Sequence, residues 1–140
     1  MERVMGIDYG TKRVGLAVSD PLGVFASALD TVAATKIMSY LQTYIFRQPV
    51  SRFVVGFPKN LDNTPSKSAP YVLLFVKKLG KMFPNIPICF EDERFTSKMA
   101  FQTMIDGGVK KMQRREKATV DKISAALILQ GFLDAQQKVS

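Results

Sequence analysis

Residues 4–18 read Val4-Met5-Gly6-Ile7-Asp8-Tyr9-Gly10-Thr11-Lys12-Arg13-Val14-Gly15-Leu16-Ala17-Val18, two apolar runs joined by a Gly-Thr-Lys turn, with a carboxylate closing the first run. The pattern predicts two antiparallel strands, over 3 to 8 and 13 to 19. A third β-like run over 24 to 32, reached through the turn-rich Asp20-Pro21-Leu22-Gly23, extends them into a meander. Asp8 is thereby held at a strand end. The chain contains no histidine, so hydrolytic chemistry would fall to carboxylates, a metal, or a lone lysine or cysteine.

Beyond the meander the period changes. Ile37, Leu41, Tyr44 and Ile45 recur at helical spacing until Gln48-Pro49, and Arg52-Phe53-Val54-Val55-Gly56-Phe57 then reads as a buried strand stopped by Pro58. A second helix is predicted to start between Pro65 and Pro70 and to carry Val72, Phe75, Val76, Leu79 and Phe83 on one face until Pro84-Asn85. Ile86 to Phe90 form the last strand, running directly into Glu91-Asp92-Glu93-Arg94. Thr96 reads as the N-cap of a helix through Ala100, Met104 and Ile105, closed by Gly107-Gly108. Residues 109 to 117 form a basic loop, and a final helix runs from about Ala118 to Gln136. A meander followed by alternating helices and strands describes an α/β fold with a mixed sheet, in one domain spanning 1–140.

With 140 residues and 46% hydrophobic content, the chain suits a single core. The formal charge of +8 favours a polyanionic partner, nucleic acid first. A membrane partner is disfavoured, since the chain has neither a long apolar segment nor a strongly basic amphipathic helix. The first strand begins within a few residues of Met1 with no leader ahead of it, which predicts a cytoplasmic protein. The one cysteine, Cys89, excludes an internal disulfide and reads as an ordinary buried thiol, with no histidine to activate it.

The acids fall at informative places. Asp8 ends the first strand and Glu91, Asp92 and Glu93 end the last; as parallel neighbours these two strands would bring the acids together. Alternation puts Glu91 and Glu93 on one face and Asp92 on the other, which leaves open which of them acts. In the final helix Asp121 shares a core-facing stripe with Ala125, Ile128 and Phe132. A buried carboxylate there calls for a cation, a metal or hydrogen bonds. Three convergent carboxylates suit Mg²⁺ or Mn²⁺ and two-metal phosphodiester chemistry. The bland readings stand beside this: Asp8 as a turn residue, Asp121 as a partner of the helix dipole, and the strand-end glutamates as solvated charge. Lys110, Lys111, Arg114, Arg115 and Lys117 precede Asp121 and, with Lys12 and Arg13, could neutralise phosphates or simply solvate a loop. Tyr9, Phe57 and Phe95 are candidates either for base stacking or for ordinary packing.

Four blocks taken in order, GIDYGTKRVGLAVSD (6–20), VVGFPKNLDNT (54–64), EDERFTS (91–97) and KATVDKISAALILQGFLD (117–134), resemble the YqgF family of Holliday junction resolvase-like proteins and pre-16S ribosomal RNA nucleases. Asn63 stands where that family usually has glycine, and Phe95 where leucine is commoner. The resemblance implies an RNase H-like fold, a five-stranded mixed sheet with helices on both faces. It also implies a metal site of Asp8, Glu93 and Asp121, with Asp92 in support. Arg94, Thr96, Lys12, Arg13, Lys59 and Asn60 lie in the family blocks and are expected to position phosphate or to steady the carboxylates. The activity implied is a metal-dependent endonuclease that matures the 5′ end of 16S rRNA. Its rivals are cleavage of branched DNA, nucleic-acid binding without turnover, and an actin-like or sugar-kinase ATPase with Asp8-Tyr9-Gly10-Thr11 as phosphate loop. The last is opposed by length, since such proteins close two domains over the nucleotide. Monomer and homodimer both remain open.

Overall fold

Small and large residues alternate along the first two strands, and this alternation decides what lies on each face of the sheet. The computed structural model describes residues 2–58, 66–92 and 117–139, with side chains described to residue 136. Strands β1 (Arg3–Tyr9), β2 (Arg13–Ser19) and β3 (Ala26–Ala33) form the expected antiparallel meander. Strands β4 (Val50–Phe57) and β5 (Ile88–Asp92) add in parallel beyond β1, giving the order β3-β2-β1-β4-β5. A short 3₁₀ turn (Ala34–Lys36) leads into helix α1 (Ile37–Arg47). Helix α2 (Ala69–Met82) precedes β5, and helix α3 (Lys117–Val139) ends the described chain.

Met5, Ile7, Val14, Leu16, Val18, Phe53 and Val55 point to one face, where α1 supplies Ile37 and Leu41 and α2 supplies Val72, Phe75 and Leu79. The residues between them are smaller. Gly6, Gly15 and Ala17 turn to the other face, where Ala17 and Val54 meet Ala125, Ile128, Leu129 and Leu133 of α3. This is a five-stranded mixed sheet with helices on both faces, the RNase H-like architecture expected from the sequence.

Helix α3 lies directly on the strand backbones. A Cβ added at Gly15 would stand 2.1 Å from the Asp121 carbonyl oxygen, and one at Gly6 would stand 2.7 Å from the Leu129 Cβ. Only glycine permits this approach. Polar ties complete the seating: the Thr31 hydroxyl donates to the Ala118 carbonyl, while Gln130 accepts from the Ala26 N–H at 2.8 Å and donates to the Val24 carbonyl at 3.0 Å.

Several boundaries differ from expectation for local reasons. β5 starts at Ile88 rather than Ile86 because Pro87 has no N–H to contribute to a ladder; its carbonyl accepts from Phe53 at 2.9 Å and opens the pairing. The strand then continues through Glu91 and Asp92. Pro70 falls inside the first turn of α2, where a missing N–H costs nothing, and so does not delay the helix. β4 lies between β1 and β5, so the first and last strands are not neighbours; the strongly apolar β4 takes the central parallel position. The helix expected from Thr96 to Ile105, and the basic loop except for Lys117, lie outside the described residues.

At the far end of the β1–β2 pair, Asp20 accepts from the Val24 and Phe25 N–H groups at 2.8 and 2.9 Å, and Gly23 takes φ +71°. The Phe25 bond, which outweighs burial, lowers the Asp20 pKa below its ordinary value of 3.8. The folded chain thus holds this proton less tightly than the unfolded chain, so the stabilisation is present above that value and is lost as pH falls through the lowered one. Chemical denaturation should therefore find the parent more stable than Asp20→Asn at neutral pH, with the difference closing in strong acid. Gly15→Ala should lower stability by about 1–3 kcal/mol, the usual cost of overpacking, as a reduced urea midpoint. An unchanged midpoint would contradict the seating of α3 described above.

Candidate active site

Asp8 points to the α3 face because its strand neighbours Ile7 and Tyr9 point to the other; Ile7 is in the core and Tyr9 stacks on Phe75 at 4.4 Å between ring centroids. Across the β1–β2 ladder Asp8 pairs with Gly15, and Gly15 touches the backbone of Asp121. One missing side chain therefore brings two acids from distant parts of the chain to a common place. Asp8 and Asp121 line an open pocket of about 240 Å³ with Gly10, Thr11, Lys12 and Arg13.

The turn after β1 shapes one side of this pocket. The Gly10 N–H donates to the Arg13 carbonyl at 2.9 Å, leaving Thr11 and Lys12 as an exposed tip. The Lys12 carbonyl accepts from the Ala34 N–H at 2.9 Å, which ties the tip to the 3₁₀ turn. Arg13 lies on the α3 side of β2 and donates from Nε to Asp121 Oδ2 at 2.7 Å. This contact supplies the cation that a core-facing carboxylate requires. Any phosphate drawn to Arg13 would have to share its guanidinium with Asp121. Asp121 lies beyond the first turn of α3, which contains no acidic residue, so the helix-dipole reading does not account for its position.

The acids of β5 sit two strands away. Ile7, Val55 and Phe90 share one row across β1, β4 and β5, and Glu91 pairs with Gly56 in the next. At about 4.8 Å between strands, the backbones of Asp8 and Glu91 are therefore roughly 10 Å apart. Glu91 lies on the α3 side, its Oε1 3.7 Å from where a Cβ on Gly131 would be. Asp92 pairs with Phe57 and so takes the opposite side, as alternation predicted. Burial, reinforced by the neighbouring Asp92 carboxylate, raises the Glu91 pKa above its ordinary value. Glu93, Arg94, Lys59, Asn60, Lys110, Lys111, Arg114 and Arg115 lie outside the described residues; Lys117 is exposed at the start of α3.

Among the described residues, no group of three histidine, cysteine or acidic side chains is close enough to hold a metal ion. Asp8 and Asp121 offer an all-oxygen pair, the donor type that hard divalent cations prefer. Of the aromatic candidates, Tyr9 packs on Phe75, and Phe57 meets Phe90 edge-on at 5.3 Å; Phe95 lies outside the described residues. Cys89 is half-buried rather than buried and accepts from Arg52 Nη1 at 3.1 Å. No described helix is long and apolar enough to cross a membrane.

The seat at Gly15 was missed in the sequence, and the Arg13–Asp121 pair was reached only as one of two roles expected of Arg13. The signal for the seat was the small-large alternation of Gly6 against Met5 and Ile7, and of Gly15 and Ala17 against Leu16 and Val18. The pair is about 37% and 22% exposed at its two side chains, so solvent screens it and its chief effect is to orient the carboxylate. A double-mutant cycle with Arg13→Gln and Asp121→Asn, read by denaturation, should give a coupling of about 0.2–1 kcal/mol. A coupling several times larger would make the pair a structural clamp instead.

Comparison with known proteins identifies the family and the fold. Residues 2–135 match the model of the family described as "RuvX: Holliday junction resolvase". A relative from Porphyromonas gingivalis is 48% identical over 134 residues, covering 96% of this chain and 97% of its own. Another, from Christiangramia forsetii, is 50% identical over 133 residues, covering 95% and 98%. Both carry the name "Putative pre-16S rRNA nuclease". Among solved structures, Thermus thermophilus RuvC in complex with Holliday junction substrate superposes with a TM-score of 0.58 at 18% identity, covering 98% of this chain and 96% of that one, which establishes a shared fold. With a family match over nearly its whole length and relatives at about half identity, the chain belongs to the RuvX family, the YqgF family of the sequence blocks.

Proposed function

We propose that this chain is a divalent-metal-dependent endonuclease that matures the 5′ end of pre-16S rRNA in the cytoplasm, working as one RNase H-like domain over residues 1–140. The observation that carries this reading is the pocket in which Asp8 and Asp121 meet beside the Lys12 tip. The names of the relatives supply the substrate class.

Asp8, Asp121 and Glu93 would hold Mg²⁺ or Mn²⁺, which when bound supplies charge neutralisation at the scissile phosphate and eases deprotonation of the attacking water. Arg13 keeps the Asp121 carboxylate turned into the pocket through its bond to Oδ2. Lys12, exposed on a tip whose backbone is tied to Ala34, meets an adjacent phosphate with little backbone rearrangement. Lys117 at the start of α3 extends the cationic rim. Lys59, Asn60, Arg94, Lys110, Lys111, Arg114 and Arg115 are assigned to the nucleic-acid backbone on sequence grounds, and Asp92 to the support of Glu93.

A second reading, cleavage of branched DNA by the same chemistry, is favoured by the family's description and by the fold shared with RuvC. Cleavage assays on a precursor 16S rRNA leader and on a four-way DNA junction, each with Mg²⁺ and with chelator, separate the two. The expected result is cleavage of the leader that stops with chelator and falls by more than about 100-fold in Asp8→Asn and in Asp121→Asn. Arg13→Ala should fall by about 10- to 100-fold, as groups that orient metal-binding side chains do. Chelator-resistant cleavage, or an unimpaired Asp8→Asn, would contradict the mechanism. Cleavage confined to the junction would select the second reading, and tight binding without cleavage would make the chain a binding module.

A further inference from the structure

On the face of the sheet opposite α3, a groove of about 410 Å³ lies between the start of α1 and the outer side of α2. Its size is within the roughly 300–1,000 Å³ of small-ligand pockets. Tyr9 and Phe75, stacked on each other, line it, and Thr35 and Met38 stand on the α1 side. Along α2, Tyr71, Leu74 and Lys78 follow at i, i+3 and i+7, a single helical stripe along the groove. Tyr71 and Leu74 are 54% and 59% exposed, although neither is needed to close the core beneath them. Lys78 is the charged side chain among the described residues lining the groove, and no acid lines it.

The groove is joined to the acidic pocket by the chain itself. Tyr9 lines the groove while its neighbour Asp8 lines the pocket. The Lys12 carbonyl bonds to Ala34, which also lines the groove, so the exposed Thr11–Lys12 tip stands between the two. An aromatic platform, an apolar wall and one cation, reached over a basic tip on a chain of charge +8, fit an unpaired base with its phosphate.

We infer that this groove takes an unpaired base of the nucleic-acid strand that crosses the Asp8–Asp121 pocket, with Tyr71 as stacking platform and Lys78 as phosphate contact. The inference rests on the nucleic-acid reading given above but not on cleavage, and it makes the enzyme one that engages single-stranded segments on both faces of its sheet. It assigns Tyr71 and Lys78 to substrate recognition rather than to chemistry.

The test is equilibrium binding of the full-length protein, in chelator so that nothing turns over, to a fluorescent single-stranded oligonucleotide and to an abasic strand of equal length. Tyr71→Ala should weaken binding of the base-bearing strand by about 5- to 100-fold, the range for losing one base–aromatic stack, and leave the abasic strand unchanged. Tyr71→Phe should bind as the parent does. Lys78→Ala should weaken both strands and reduce the salt dependence of log K by about 0.7, the loss of one single-strand phosphate contact. Both side chains are exposed, and circular dichroism checks that the variants fold. Equal affinity of Tyr71→Ala and parent for the base-bearing strand would overturn the inference, as would equal losses on both strands. Unchanged affinity together with loss of self-association in sedimentation would assign the groove to a second copy of the chain and also overturn it. If the parent binds as expected but cuts neither rRNA nor junction in the assays above, the nuclease reading fails while the groove stands.

Discussion

The contact between the Gly15 backbone and the carbonyl of Asp121 sets the geometry of everything around it. Where the helix has no side chain to ride over, its axis drops onto the strands, and the residues just before and after the contact are fixed in height and rotation. Asp121 then bonds Arg13, on the same strand as Gly15, beside the pocket that it lines together with Asp8 of the neighbouring strand. A larger residue at Gly15 would press on the Asp121 backbone, lift the start of α3 and separate the two acids without touching either carboxylate. The meeting of Asp8 and Asp121 is thus a by-product of tight packing, and the fold's stability and the shape of this pocket depend on the same few atoms.

The two faces of the sheet share the work unequally. The α1–α2 face holds the larger buried side chains, Met5, Ile7, Leu16, Phe53, Leu41 and Leu79, and so carries most of the apolar burial that drives folding. The α3 face has a thinner layer built on Ala17, Val54, Ala125 and Leu129. Close approach there compensates for small side chains, because dispersion contacts are kept at short range even when little area is buried. That thinner layer leaves room at its end for polar groups.

Much of this was legible beforehand. Three short apolar runs joined by turn-rich segments revealed the meander, helical spacing revealed α1, α2 and α3, and Pro58 marked the end of β4. Asp8 stood out as an acid closing an apolar strand, with a plain turn role equally open, and Asp121 because it fell on an apolar stripe. Strand order was harder. A sequence records which segments are strands, but β4 separates β1 from β5 for reasons of burial on both faces, which appear only when the helices are placed. The Arg13–Asp121 bond joins residues 108 positions apart, beyond any local pattern, so the sequence left Arg13 open between positioning phosphate and steadying a carboxylate.

The alternation along β1 has a further meaning. Ile7 and Tyr9 are held by the large core, Asp8 by the opposite face, and a slip of one residue would drive the carboxylate into hydrocarbon while throwing an isoleucine out to the site. Such a chain would pay the cost of a buried charge and lose its core at once, so it could not persist. Folding therefore acts as an inspection step: a molecule that reaches the native state has already verified the placement of its acid, and misassembled but folded copies that bind nucleic acid unproductively are selected against by the core itself.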